Sequence, residues 1–224
     1  MQPVCSPYER MPETKRLTMG TRHLIAVQLD GEYKIAQYGQ WDGYPSGQGI
    51  DVLKFLNTAN LEAFRDKLRR VHFSTPEEQE AAWVGAGATP GSESVSTNIA
   101  GKLREIHPEL SRDTGAGVLD VILRSTAPEK LVLDNAIEFA QDSLFCEWAY
   151  VIDLDANTLE VYEGFNKNPV AEGRFAGPVQ IGNDGPGSDG YGPVTLVKTY
   201  SLNALPSEAQ FLADLEPESS EVEV

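Results

Sequence analysis

The sequence predicts an α+β fold: a single domain of antiparallel hairpins with a helical insertion between them. Three observations carry this. Apolar residues recur with a period near two from Arg22 to Gly39, broken by Asp30-Gly31. The period becomes helical across residues 50–124. It returns to two in "LFCEWAYVIDLDANTLEVYEGF", residues 144–165. Strands, then several helices, then strands is an α+β order, distinct from alternating βαβ units.

In chain order, "HLIAVQL" and "YKIAQYG" are strands, and Asp30-Gly31 is a strong hairpin turn between them. Val52, Leu53, Phe55 and Leu56 form one face of a helix. Asn60 caps a second helix carrying Leu61, Phe64, Leu68 and Val71. Thr75-Pro76-Glu77-Glu78 has a capping Thr, Pro at the first helical position and Glu where a capping box needs it. "GAGATPGSESVSTN" (85–98) is a small-residue loop, and helical patterns follow at 97–106 and 117–124. In the second hairpin Phe145, Glu147, Ala149, Val151 and Asp153 are expected on one face. Cys146, Trp148, Tyr150 and Ile152 are expected on the other, with Asp155-Ala156-Asn157 turning the chain. "GPVTLVKTYSL" (192–202) is a last strand.

Composition sets the boundaries. At 224 residues with 41% hydrophobic content, the chain can bury a sizeable core. Residues 1–18 are polar with three prolines and are expected to form a disordered leader, with Met19 a plausible alternative start to Met1. The single domain is expected over 19–205. The remainder, 206–224, contains no Lys or Arg and reads as an acidic disordered tail. The leader lacks the apolar run of a signal peptide, and no window resembles a membrane helix, so the expected location is cytoplasmic. The formal net charge of −16 argues against nonspecific nucleic-acid binding and for basic partners. Cys5 and Cys146 make a weak disulfide pair, and Cys146 is expected to be a buried small hydrophobe. His23, His72 and His107 are scattered. No metal site and no cofactor is expected, and the oligomeric state is not encoded in any visible pattern.

The stretch "AQYGQWDGYPSGQG", residues 36–49, is the principal candidate site. Its glycines relax the backbone, and Gly49 precedes a helix N-terminus with free N–H groups. Trp41, Asp42, Tyr44, Ser46 and Gln48 supply aromatic faces, a carboxylate and polar tips, the mixture a small-molecule site uses. The competing reading puts Trp41 and Tyr44 in the core, with Asp42 accepting the N–H groups of the turn. No GxGxxG and no Lys after the glycines supports a phosphate loop. In "IGNDGPGSDGYGP" (181–193), Asn183, Asp184 and Asp189 could hold a hard cation, but they lack calcium-loop spacing, and a plain loop is expected. No Gly-x-Ser-x-Gly elbow occurs. Asp153 and Asp155 are expected to be solvated turn residues.

The segment "MGTRHLIAVQLDGEYKIAQYGQWDGYPSGQG" (19–49) resembles an uncharacterised family of small phage, bacterial and fungal proteins. Its members open with Met-Gly-Thr-Arg, a hairpin and an Asp-x-Tyr-Pro turn. "LFCEWAYVIDLD" fits the same pattern. A more distant likeness is to choloylglycine hydrolases, N-terminal nucleophile enzymes with a sandwich fold. That likeness implies a nucleophile at Thr21, exposed as a free N-terminus, and an orienting aspartate at Asp42. Gln40 stands where those enzymes carry an arginine, and no Cys opens the strand. The resulting expectation is a non-catalytic binding protein for a small molecule or a basic protein. The alternatives are an amide hydrolase of the N-terminal nucleophile type and an acidic inhibitor that mimics nucleic acid.

Overall fold

The structure is a computed structural model describing residues 20–92, 94–179 and 190–216. Two antiparallel strands, β1 (His23–Leu29) and β2 (Glu32–Gly39), meet at a turn in which Asp30 and Gly31 have φ of 55° and 77°. These positive torsions match the right-handed twist of the strands. The helical insertion follows: α1 (Ile50–Thr58), α2 (Leu61–Leu68), α3 (Pro76–Gly85), α4 (Thr97–Ile106) and α5 (Gly117–Arg124). The second hairpin is β3 (Trp148–Asp153) and β4 (Thr158–Glu163). It is followed by β5 (Thr195–Ser201) and α6 (Glu208–Leu215).

The strands form one five-stranded sheet ordered β2-β1-β3-β4-β5, with only the β1–β3 pair parallel. Among the described residues there is this sheet and no second one facing it, so they do not form the two-sheet sandwich of the hydrolases. One face carries Ile25, Val27, Tyr150, Ile152 and Val161 against α1, α2, α5 and α6. The other carries Leu24, Ala26, Ala149 and Val151. It is covered by Ala140 of a short 3₁₀ turn and by Phe175 and Val194 of the long β4–β5 connection.

The local signals operate as the sequence implies. Asn60 Oδ1 accepts from the Ala63 N–H, and Thr75 with Glu78 forms a reciprocal capping box. Three expectations change. The alternation before β3 fails at its first two positions. Cys146 packs with Ala149 and Val151, because its N–H turns back to the Asp142 carbonyl and the strand begins only at Trp148. Asp153 is 5% exposed rather than solvated, since the strand period points it at the inner face. There Arg174 binds it together with Glu160, Gln28 and Tyr33, tying the long connection across four strands. Burial raises the Asp153 pKa, but the Ala156 N–H and the Arg174 guanidinium outweigh it and hold the carboxyl below its ordinary range. Asp155 is exposed, and its carboxylate accepts the Asp30 and Gly31 N–H groups at 2.8 and 2.9 Å, joining the two hairpin turns.

The third change is at the end of the chain. Residues 208–215 form a helix, contrary to a disordered tail from 206. Ser207 caps it, Phe211 is fully buried and Leu215 nearly so. Few apolar residues suffice because the seat is already built: Phe211 lies 5.4 Å from the Tyr200 ring, and Asp214 meets Lys198 at 3.0 Å. The leader, residues 217–224 of the tail, and Asn183, Asp184 and Asp189 lie outside the described residues.

Candidate functional site

The stretch 36–49 leaves the end of β2, crosses the end of the sheet and enters α1 through a turn of π-helical hydrogen bonding, Pro45–Gly49. Most of the backbone donors in its loop are engaged within the chain. The Gly43 N–H donates to the Thr21 carbonyl at 2.9 Å, and the Gln48 N–H to the Asp42 carbonyl at 2.8 Å. Gly47 and Gly49 donate to the Tyr44 carbonyl, and Ser46 N–H and Oγ reach Glu216 Oε1 at 3.3 and 3.2 Å. A helix N-terminus binds an anion only with free N–H groups, and here Glu216 of the chain's own C-terminal segment already occupies that place. Gly47 is required by closeness: a Cβ there would stand 2.2 Å from the Asp42 carbonyl oxygen.

The expected site residues therefore divide. Asp42, at φ 57°, is exposed. Its carboxylate does not take the turn N–H groups; its backbone carbonyl does that work, and the carboxylate accepts from the Tyr44 hydroxyl at 3.3 Å. Tyr44 also interacts with the Thr21 side chain. Burial, then the Asp42 charge, raises the phenol above its ordinary pKa. Thr21, Asp42 and Tyr44 thus form one group. Thr21 itself is only 7% exposed. Trp41 is not core: it is 47% exposed, and its indole N–H donates to Asp113 at 2.9 Å. Gln48 is a structural bridge whose Oε1 accepts the Ala116 N–H at 2.7 Å, and Ser46 belongs to the Glu216 contact.

Five residues at the same sheet end were missed. Arg22 stacks on Phe145 at 4.5 Å from the ring centre, and its backbone N–H donates to Glu147 Oε1 at 3.2 Å. Burial raises the Glu147 pKa despite Arg22. Phe165 follows β4 at φ 55° and is joined to the Phe145 loop by its N–H to the Ser143 carbonyl. Beneath them His23 is 1% exposed, with both ring nitrogens lacking a hydrogen-bond partner. Burial lowers its pKa to about 4. The Thr21 backbone opposes this as the smaller influence. Its ring fills the place a side chain would take at Gly39, the residue paired with it on β2. The available signal was register: pairing β1 with β2 from the Asp30-Gly31 turn puts His23 opposite Gly39.

Cys146 is buried, and desolvation raises its thiol far above the ordinary range, which leaves it unreactive. Among the described residues no group of three His, Cys, Asp or Glu side chains is placed to hold a metal ion, and no helix is long and apolar enough to cross a membrane. Two cavities lie away from the sheet end, one beside α3 and one between α1 and α5. Compared with protein-family models, curated proteins and solved structures, the chain matches none of them.

Proposed function

We propose that the protein is a non-catalytic binding protein that takes a basic segment of a protein partner at the end of its sheet. The observation behind this is the exposure of three aromatic rings on converging loops: Trp41 at 47%, Phe145 at 42% and Phe165 at 55%. Aromatic side chains beside an arginine are the usual anchors of protein interfaces. Phe165 sharpens the point. A bulky residue rarely takes a positive φ, and doing so costs about 1–3 kcal/mol. Here that cost is not offset by burying the ring. Asp42 follows Trp41 in the chain, Asp113 accepts the Trp41 indole N–H while pairing with Arg104, and the whole chain carries −16, which favours a basic partner.

Selection from a displayed random peptide library tests this. Enrichment of basic peptides, with affinity about tenfold weaker or worse for Trp41→Ala and Phe165→Ala, is the expected result. No enrichment, or undiminished affinity in both variants, refutes the proposal. One contact favours the amide-hydrolase reading instead: the Tyr44 hydroxyl lies with both Thr21 and Asp42. That reading requires a mature chain beginning at Thr21, so an intact mass retaining residues 19 and 20 eliminates it.

A further inference from the structure

We propose that the cavity between α3 and the loop after it binds an amphipathic organic cation, an ammonium group on an apolar body. This site is separate from the sheet-end surface, and neither reading depends on the other. The cavity has a volume of about 520 Å³, within the range of small-molecule sites. Pro76, Trp83, Val84, Ala88 and Val95 supply its apolar wall. Val84 and Val95 are each 39% exposed, so this wall faces solvent.

The charge on the wall selects the ligand. Glu80 is the sole ionisable side chain among the described residues lining the cavity. Its Oε1 accepts the Gly91 N–H at 2.9 Å, which fixes the carboxylate against the loop, and no hydrogen bond among the described residues engages Oε2. Of the uncharged polar residues on the wall, Gln79 donates its amide N–H groups to Ser74 and Asp134, and Ser92 donates its hydroxyl to the Ser94 carbonyl. A fixed carboxylate beside an indole attracts a cation through both the charge and the ring quadrupole. An anion is repelled, and a neutral apolar ligand desolvates Glu80 without compensation. An ammonium on an alkyl or aryl body satisfies both halves of the wall.

Octyltrimethylammonium, 1-octanol and octanoate, titrated into the full chain, separate the possibilities. Calorimetry gives affinity, and the indole N–H resonances show which tryptophan responds. The expected result is saturable binding of the cation with a shift at Trp83, binding of octanol about tenfold weaker, and no binding of octanoate. Glu80→Gln keeps an acceptor for Gly91, so the melting temperature should hold while cation affinity falls about tenfold. Equal affinity for cation and alcohol overturns the proposal. So does unchanged affinity in folded Glu80→Gln, a response at Trp41 or Trp148 in place of Trp83, or no saturation below about 1 mM. Should Glu80→Gln fail to fold, the comparison of the three ligands on the unmodified chain still decides.

Discussion

Replacing His23 with Gln should remove about 3 kcal/mol of the acid sensitivity of the fold. The native imidazole is 1% exposed with neither nitrogen hydrogen-bonded, so charging it inside the protein is unfavourable. Its pKa falls from 6.5 to about 4. Each unit is worth about 1.4 kcal/mol, so the displacement amounts to about 3 kcal/mol. The sign follows from proton counting. Between pH 6.5 and 4 the unfolded chain holds the proton and the native chain does not, so stability rises with pH across this window. The contribution is complete above 6.5 and lost as the pH falls toward 4. Urea melts at pH 7.5 and pH 4 measure it: the native sequence should lose about 3 kcal/mol more than His23→Gln between the two. Shared carboxylates such as Glu147 titrate in both chains and cancel in the comparison. Equal pH dependence in the two, or an imidazole resonance titrating near 6.5 in the folded protein, refutes the reasoning.

Three further outcomes are expected. Phe211→Ala should cost about 3–5 kcal/mol in chemical denaturation, because the ring is fully buried between Tyr200 and Gly49; a loss under about 1 kcal/mol would mean that α6 contributes little to the domain. Arg174→Met should cost about 3–5 kcal/mol by leaving Asp153 and Glu160 without their cation, and unchanged stability would show that the pair is compensated by water. Gly47→Ala should cost at least about 2 kcal/mol through its approach to the Asp42 carbonyl, whereas Asp42→Asn should stay within about 0.5 kcal/mol; the reverse order of melting temperatures would restore the carboxylate as the structural element.

What could be read from the sequence was local. Asp30-Gly31 fixes a turn through its own torsions, and Asn60 and Thr75 cap helices three residues away. Such signals need no knowledge of the rest of the fold. Phe211 and Arg174 were not readable. Each acquires its role from a surface built by distant strands: Tyr200 for one, Asp153 and Glu160 for the other. The same distinction explains the candidate site. Four glycines before a helix suggest open backbone donors. Yet Gly39 lies under His23, Gly47 against the Asp42 carbonyl and Gly49 under Phe211 and Tyr150. They are small because something packs on them, and the stretch can be knitted shut by its own hydrogen bonds for that reason. A segment with most of its loop donors engaged internally presents chiefly the side chains that remain outside. In this stretch those are led by the Trp41 ring, which shares the sheet end with Phe145 and Phe165. On the proposed reading, the recognition chemistry of this surface is apolar and aromatic, as protein interfaces use it.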